Sequence, residues 1–187
     1  MNRLGVIAEE ENDVDVVRCI AAKIVRREVP IEKFVGHGCS KVRAKCRSWA
    51  STLRDRGCRL LVILHDSDTV DPVEVKDELV QKLGSSPIAL HIIVIPVREI
   101  EAWLLADDQA IGQAMKLSQP MKRVANPERV MNPKEHLRDQ IFIRSGHKTR
   151  YVNTIHNKRI AAVCKLANLR RCASFAPLEL FLSTHLR

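Results

Sequence analysis

The stretch "RLLVILHDSDTVDP", residues 59–72, joins a continuous apolar run to a cluster of acidic residues. A run in which successive residues are all apolar predicts a strand buried on both faces, as in the centre of a parallel sheet. Asp66, Asp68 and Asp71 follow the end of that strand, where carboxylates held close together repel one another. Asp71 precedes Pro72, a residue favoured in the first turn of a helix, so we expect Asp71 to cap a helix. Asp66 and Asp68 therefore need a positive partner.

The first half of the chain alternates strand and helix patterns around this stretch. Short apolar segments predict strands at residues 3–9, 30–36, 58–66 and 86–96, and helical spacing of apolar residues predicts helices at 12–27, 40–57 and 71–84. The order β-α-β-α-β-α-β requires crossover connections and a mainly parallel sheet. The predicted fold is an α/β, Rossmann-like core with a four-stranded sheet over residues 1–98.

Helix boundaries follow from capping residues. Asn12 or Asp13 is the expected N-cap of the first helix, Ser40 that of the second, and Gly84 ends the third. Residues 99–187 read as further helices with narrow apolar stripes, so we expect a C-terminal helical annex packed on the core within one globular unit.

Charge is distributed unevenly along the 187 residues. Residues 1–108 carry 16 Lys and Arg against 18 Asp and Glu, a net charge of −2, whereas residues 109–187 carry 15 against 4, a net charge of +11. A basic C-terminal part is typical of proteins that contact phosphate backbones or an acidic partner. No apolar run is long enough to span a membrane, and the N-terminus is unlike a signal peptide, so we expect a soluble, cytoplasmic protein without membrane contact.

Acidic residues follow three of the predicted strands. Glu9 follows the first, Asp66 and Asp68 follow the third, and Glu99 and Glu101 follow the fourth. Ligands of open parallel sheets bind beyond the carboxyl ends of the strands. Clustered carboxylates there suit Mg²⁺ or Mn²⁺, which can activate water for phosphodiester hydrolysis. We expect Glu101 to join this site before Glu99, because residues two apart on a helix point away from each other.

The segments "VIAEEENDVDVV" and "LVILHDSDTVD" together resemble the TOPRIM domain shared by topoisomerases, primases and overcoming-lysogenization-defect-type nucleases. In that family a glutamate follows the first strand and an Asp-x-Asp follows the third, which matches Glu9, Asp66 and Asp68 here. The resemblance implies that Asp66 and Asp68 bind Mg²⁺ or Mn²⁺ and that Glu9 is a further ligand or the general base. Glu10 stands where the family usually has glycine.

Further segments, "IPVREIEAWLLAD", "NPKEHL" and the tail from residue 151, resemble the small TOPRIM-like proteins of the domain-of-unknown-function 4276 family. Members are often encoded next to ABC-type or SMC-type ATPases in bacterial defence regions. The resemblance therefore implies a metal-dependent nuclease in anti-phage defence with an ATPase partner and nucleic acid as substrate. Whether the chain forms a homo-oligomer stays open.

Basic residues in the C-terminal part are candidates for contact with the substrate. By analogy with related nucleases a lysine neutralises the transition state, and Lys148 is the candidate that we name. The expected nucleic-acid-binding residues are Arg150, Lys158, Arg159, Arg170 and Arg171.

Other interpretations of the same residues stay open at the level of sequence. "DSDTV" also fits the nucleophile motif of haloacid-dehalogenase-type phosphatases, with Asp66 phosphorylated and Asp68 as acid and base. That motif normally follows the first strand, and Glu9 would have no role. A phosphoreceiver domain needs a fifth strand ending in lysine, which the chain does not show. An inactive TOPRIM-like adaptor that binds nucleic acid or an ATPase is the non-enzymatic alternative.

Overall fold

The computed structural model describes residues 3–186. Four parallel strands form one sheet in the order β2-β1-β3-β4. The strands are β1 (Arg3–Ala8), β2 (Ile31–Val35), β3 (Cys58–Leu64) and β4 (Leu90–Val94). β1 and β3 are central and adjacent, which confirms both the predicted α/β fold class and the central position of the strand within residues 59–72.

Helices cover both faces of this sheet. In chain order they are α1 (Glu11–Val25), α2 (Cys39–Asp55), α3 (Pro72–Leu83), α4 (Glu101–Leu105), α5 (Asp108–Met115), α6 (Pro133–Arg144), α7 (Asn153–Val163), α8 (Leu166–Leu169) and α9 (Ala176–His185), with 3₁₀ turns at Pro127–Arg129 and Ala173–Phe175. Within the described range 3–186, no helix is both long and apolar enough to cross a membrane.

Residues of β3 alternate between two apolar cores. Leu60, Val62 and Leu64 pack into one core together with α1 and the C-terminal helices, whereas Leu61 and Ile63 pack into a second core with α2 and α3. Each of these side chains is almost fully enclosed, and burying one such side chain contributes about 1.5–3 kcal/mol. Burial on both faces explains why the strand reads as an unbroken apolar run, and it makes β3 a rigid support for the residues that follow it.

The C-terminal helices share a core with the sheet. α7 packs along α1, and α9 contacts both α1 and β4. Trp103 of α4 is fully buried, stacks edge-on against Phe175 at 5.5 Å between ring centroids, and donates a hydrogen bond from Nε1 to Ser174 Oγ at 2.8 Å. These helices therefore bury their apolar stripes against the sheet layer.

Two of the predicted helix starts are wrong, and one is right. Asp71 caps α3 as expected, since its carboxylate accepts a hydrogen bond from Val73 N–H at 2.7 Å. Helix α1 instead has Glu10 as N-cap and not Asn12 or Asp13, because the Asp13 carboxylate accepts from Glu10 N–H at 2.8 Å as the N3 residue of a capping box.

The N-cap of helix α2 is Gly38 and not Ser40. Gly38 has φ 128°, a conformation that side chains rarely allow, so the chain turns there and the helix begins at the next residue.

A candidate active site built from carboxylates

The carboxyl ends of β1 and β3 bring Glu9 and Asp66 into contact. The strands are parallel neighbours, so residues that follow their last positions meet at the same edge of the sheet. Asp66 N–H donates a hydrogen bond to Glu9 Oε1 at 3.1 Å, although 57 positions separate the two residues in sequence. The strand ends thus bring together the two acidic motifs that the sequence placed at this edge.

A cavity of about 120 Å³ opens at this edge, and its wall is mostly acidic. Asn12, Asn153 and a single lysine, Lys134, also line it. The acidic lining residues are Glu9, Glu10, Asp13, Asp66, Asp68, Glu99 and Glu101. Seven carboxyl groups around so small a space cannot all be ionised without a strong mutual repulsion, which protons or a cation would relieve.

Asp66 is the most strongly perturbed of these acids. Burial raises the pKa of its carboxyl well above the usual range, and the charges of Asp13, Glu101, Glu9 and Asp68 raise it further. Its Oδ1 atom is enclosed and accepts no hydrogen bond from any described residue. A buried oxygen without a donor is costly, so this atom is a natural position for a proton or a ligand cation.

The ring of His65 lies next to Glu9. The Nδ1 atom of His65 lies 3.0 Å from Glu9 Oε1, and the ring is completely buried. Burial raises the pKa of Glu9, and the neighbouring charge of Asp68 acts in the same direction. Sequence reasoning missed His65; the available signal was a polar residue that directly follows an apolar strand and precedes Asp66.

Asp13 reaches the same cavity from helix α1. Sequence reasoning assigned it to the helix N-terminus, which is correct for its Oδ2 atom but incomplete. Asn12 Nδ2 donates to Asp13 Oδ1 at 3.0 Å, and burial raises the pKa of Asp13 to about 8. The Oδ1 atom of Asn12 is itself enclosed without a donor among the described residues. Asp13 is therefore a further acid of the site that can keep its proton near neutral pH.

Asp68 lies at the exposed rim of the cavity. Its φ of 50° is left-handed, a conformation that aspartate tolerates better than most residues. Two hydrogen bonds with Arg98 hold this turn: Asp68 N–H donates to Arg98 O at 2.9 Å, and Arg98 Nη1 donates to Asp68 O at 2.9 Å. The carboxylate of Asp68 is thus the most accessible of the motif acids to a solvent-borne substrate.

Glu99 and Glu101 both line the cavity, which corrects the expectation that their side chains point apart. Helix α4 begins only at Glu101, so the helical spacing rule does not apply to Glu99. Glu99 Oε2 accepts from Lys134 N–H, at the start of α6, at 2.9 Å. Burial raises the pKa of Glu99.

Glu101 is buried and ties α4 to α7. Its Oε1 atom accepts hydrogen bonds from Asn157 Nδ2 at 2.9 Å and from the Tyr151 hydroxyl at 3.3 Å. Tyr151 also donates to Asn157 Oδ1, and burial raises the pKa of the tyrosine. Glu101 therefore uses its Oε1 atom for hydrogen bonds that join α4 to α7, and the residue also lines the cavity.

The donor atoms around the cavity suit a hard cation, since they are carboxylate and amide oxygens. The enclosed oxygens of Asp66 and Asn12 are the observation that fits such a cation. Within residues 3–186, however, no three His, Cys, Asp or Glu side chains stand close enough together to hold a metal ion as they are placed. Cation binding would therefore require carboxylates such as Asp68 to turn towards Asp66.

The predicted basic residues lie in different surroundings. Lys148 is exposed and does not line the cavity, whereas Lys134 does. Sequence reasoning missed Lys134, which directly follows the proline that begins α6.

Two of the predicted arginines make contacts within the fold. Arg170 pairs with Glu179 at 2.9 Å, and Arg171 donates to the carbonyls of Ala106, Val124 and Ala125.

The remaining basic candidates lie on or near α7. Arg150, Lys158 and Arg159 are exposed, and Lys158 Nζ lies 3.7 Å from Asp15 Oδ2. These three side chains, together with Arg170, which stays exposed although it pairs with Glu179, are the ones of the predicted nucleic-acid-binding set that are accessible to a ligand.

Comparison with known protein families gives a match that covers most of the chain. A model of the family described as a domain of unknown function (DUF4276) matches residues 8–183. None of the curated proteins and no solved structure matches the chain significantly.

Proposed function

The chain belongs to the DUF4276 family, and from its carboxylate cavity we propose that it is a metal-dependent nuclease that hydrolyses phosphodiester bonds of nucleic acid. The observation that carries this proposal is the enclosed Oδ1 atom of Asp66, which has no donor among residues 3–186 and belongs to a residue that lines a cavity with six further acidic residues. A protein maintains such a cluster at a cost in stability, and perturbed acids of this kind concentrate at functional sites.

Asp66, Asp68 and Glu9 are the residues that would hold Mg²⁺ or Mn²⁺, with Glu101 as a further candidate. The bound cation would lower the pKa of a water molecule and stabilise the charge that develops on the phosphate. Glu9 Oε1 is occupied by the Asp66 N–H, so its second oxygen is the one available to bind the cation or to accept a proton from water. Asp68, at the rim, is placed to meet the substrate first.

Neutral and positive groups complete the proposed site. Asp13, with a pKa of about 8, keeps a proton at neutral pH and so limits the repulsion around Asp66. Lys134 replaces Lys148 as our candidate for balancing charge on the phosphate, because it lines the cavity and Lys148 does not. The proton of Asp13 and the charge of Lys134 both reduce the net negative charge that an incoming phosphate meets.

Nucleic acid as substrate is supported by the charge distribution. Residues 109–187 carry a net charge of +11, and Arg150, Lys158 and Arg159 are exposed. Exposed basic groups on the same polypeptide would attract a polyanion and hold it near an acidic site that would otherwise repel it.

The resemblance of Glu9, Asp66 and Asp68 to the TOPRIM motif supports a nuclease over a phosphatase. The contact of Glu9 with Asp66 gives the glutamate a place that a phosphatase of the haloacid dehalogenase type would not use. The same resemblance is our support for proposing an ABC-type or SMC-type ATPase partner and a role in anti-phage defence.

A cleavage assay tests the proposal. Plasmid, linear and single-stranded DNA and RNA are incubated with the protein and Mg²⁺, Mn²⁺ or EDTA, with and without the neighbouring ATPase where one is encoded. We expect metal-dependent cleavage that Asp66→Asn and Glu9→Gln abolish and that Asp77→Asn, a change on the exposed face of α3, leaves intact. Hydrolysis of p-nitrophenyl phosphate that survives Glu9→Gln but not Asp66→Asn would instead identify a phosphatase. Equal nucleolytic activity in every variant would remove the proposal.

A further inference from the structure

Helix α2 is far more basic than the part of the chain that contains it. Six Lys or Arg residues and a single acid lie between residues 39 and 56, although residues 1–108 together carry a net charge of −2. The acid, Asp55, accepts hydrogen bonds from Arg54 at 2.9 and 3.0 Å. Lys41 stands in the first turn of the helix, where the helix dipole favours acids and α2 has none. Helix stability therefore does not explain this excess of positive charge.

The arginines on the α3 side of α2 make contacts within the fold. Arg43 Nη1 lies 3.0 Å from Glu78 Oε2, and Arg47 Nη1 donates hydrogen bonds to the carbonyl oxygens of Leu83 and Ser85 at 2.8 and 3.1 Å. On its other side α2 contacts β2, which is an edge strand of the sheet. The basic residues on this second side are the ones that can meet a ligand.

Lys41, Lys45 and Trp49 form a row along the β2 side of α2, which we call the α2 track. These residues are spaced four apart, so neighbouring side chains emerge about 5–6 Å from each other on one side of the helix. Both lysines are exposed, and neither side chain has a hydrogen-bond or ion-pair partner among residues 3–186. Like charges at this spacing repel each other and destabilise a helix. An anion bound from outside the fold would relieve this repulsion.

Trp49 ends the α2 track in an aromatic stack. Its ring lies parallel to that of Phe34 on β2, with 5.3 Å between the ring centroids and an angle of 4° between the planes. The guanidinium of Arg56 lies 5.1 Å from the centroid of the Phe34 ring. Trp49 and Phe34 are both partly exposed, whereas Trp103 is fully buried. A tryptophan held in this way is a rigid surface on which a nucleic-acid base can stack.

Glu32 is the acid of β2 on the same face of the strand as Phe34, since the two residues are two positions apart. Two arginines balance its charge: Oε1 lies 3.6 Å from Arg3 Nη1, and Oε2 lies 3.6 Å from Arg56 Nη1. A polyanion that approaches the aromatic stack therefore meets a surface with a net positive charge.

The α2 track starts beside the candidate site. His37, in the loop between β2 and α2, donates a hydrogen bond from its N–H to the carbonyl oxygen of Glu9 at 2.8 Å. Lys41 follows in the first turn of α2, and Trp49 lies about 12 Å further along the helix axis at 1.5 Å per residue. A strand of nucleic acid bound along the track would therefore lead towards the carboxylate cavity.

We propose that the α2 track binds single-stranded nucleic acid, with phosphates on Lys41 and Lys45 and a base stacked on Trp49. The proposal rests on the proposed nuclease function, for which it names single strands as the substrate class. In a duplex the neighbouring base pairs cover the faces of each base, so Trp49 would find no base to stack on. Phosphate contacts combined with stacking on aromatic side chains are how many proteins bind single strands of any sequence.

Tryptophan fluorescence during titration with a short oligothymidylate in EDTA tests the stacking. The chain contains two tryptophans, Trp49 and the fully buried Trp103, so quenching that is lost in Trp49→Phe reports a base on Trp49. We expect quenching by the single strand and none by a duplex of the same length. Trp49→Leu should weaken binding of the single strand by about 5- to 150-fold. Oligothymidylate that binds the wild type without quenching would overturn the proposal.

Lys41→Glu with Lys45→Glu tests the phosphate contacts, and Lys76→Glu with Lys82→Glu is the matched control. Both double variants make the same change in net charge at exposed positions, the first on α2 and the second on the neighbouring helix α3. The α2 variant should bind oligothymidylate about tenfold or more weakly. Its plot of log affinity against log salt should be shallower by about 1.4, since each phosphate contact on a single strand contributes about 0.7. The control should stay within about threefold of wild type at physiological salt, where distant charges are screened.

The outcomes separate the α2 track from the proposed function. Equal affinities in the α2 variant and its α3 control would overturn the proposal and leave the lysines to an acidic protein partner or to solvent. The lysine variants carry the test if Trp49→Leu fails to fold. A wild-type protein that binds oligothymidylate along the track in EDTA, but cleaves no nucleic acid with Mg²⁺ or Mn²⁺, would remove the nuclease function alone. Metal-dependent cleavage of single strands that is unchanged in the lysine and Trp49 variants would remove the track alone.

Discussion

The side chain of Glu9 and the backbone of Asp66 are joined by a hydrogen bond of 3.1 Å at the adjacent ends of β1 and β3. This contact fixes the carboxylate of Glu9 against the loop that contains Asp66 and Asp68. The acidic side chains of these residues therefore line the same small cavity. Burial raises the pKa of Glu9, Asp13, Asp66 and Glu99 in the same direction. The candidate site is therefore under electrostatic strain without a cation, and this strain leads to measurable predictions.

The stability of the metal-free protein is expected to fall as pH rises through the neutral range. Asp13 has an unfolded pKa near 3.8 and a folded pKa of about 8, so between these values the folded state binds more protons than the unfolded state. The free energy of unfolding then decreases with pH over this window, and the full cost is present above pH 8. Thermal unfolding in EDTA between pH 5 and 9 measures the trend.

Asp13→Asn is the matched variant for this pH dependence. It removes the titrating group, while an amide oxygen can still accept the hydrogen bond from Glu10 N–H, so the decline with pH should become shallower. Burial lowers the pKa of His156, so this residue makes the stability rise with pH below pH 6.5. It is a single group, whereas burial raises the pKa of four carboxyl groups of the site. A melting temperature that stays constant or rises between pH 6 and 8 would contradict the placement of these carboxyls.

Asp66→Asn is expected to stabilise the metal-free protein and to abolish its stabilisation by Mn²⁺. The variant removes the acid with the most unfavourable surroundings, so the metal-free protein should unfold at a higher urea concentration at pH 8. The same change removes a proposed metal ligand, so the increase in melting temperature that Mn²⁺ gives the wild type should disappear. Asp77→Asn, on the exposed side of α3, should change neither quantity. A large loss of stability in Asp66→Asn would mean that the carboxylate serves the fold rather than a ligand.

The sequence allowed the acids at the strand ends to be predicted because their positions follow from local pattern and topology. Asp66 and Asp68 directly follow an unbroken apolar run, and Glu9 directly follows β1. His65 and Lys134 could not be selected in this way, because their roles depend on packing between distant elements. Arg43 of α2 donates a hydrogen bond to the ring of His65, and the docking of α6 beside Glu99 brings Lys134 to the cavity.

The helix starts show a second limit of local pattern. Asn12, Asp13 and Ser40 are all good capping residues, and nothing local distinguishes the N-cap from the N3 position of a capping box. Local sequence also could not predict the role of Arg171. The sequence shows only a basic residue, but in the structure its guanidinium donates hydrogen bonds to three carbonyl groups and stabilises the fold.

Glu101 is expected to tolerate an amide but not a truncation. Glu101→Gln keeps an acceptor oxygen for Asn157 and Tyr151, so the free energy of unfolding should stay within about 1 kcal/mol of wild type. Glu101→Ala leaves the buried amide of Asn157 without its acceptor, whereas Tyr151 can still donate to Asn157 Oδ1, and the expected cost is about 1–3 kcal/mol. Urea unfolding measures both values. If Glu101 is also a metal ligand, Glu101→Gln will lower Mn²⁺ affinity while remaining stable; unchanged affinity would restrict the residue to its structural role.

Substitution of exposed basic residues should weaken nucleic-acid binding, whereas substitution of Arg171, which is hydrogen-bonded within the fold, should lower stability. Arg150→Glu with Arg159→Glu changes accessible charges near or on α7, so nucleic-acid affinity should fall about tenfold or more, with a shallower dependence on salt and little change in melting temperature. Arg171→Ala removes donors to the Ala106 and Val124 carbonyls, so it should lower the melting temperature and leave the salt dependence of binding unchanged. Binding titrations between 50 and 300 mM salt, paired with thermal unfolding, distinguish these effects. An affinity that is insensitive to the double charge reversal would place the nucleic-acid surface elsewhere on the protein, because counterion release at these residues would then contribute nothing to binding.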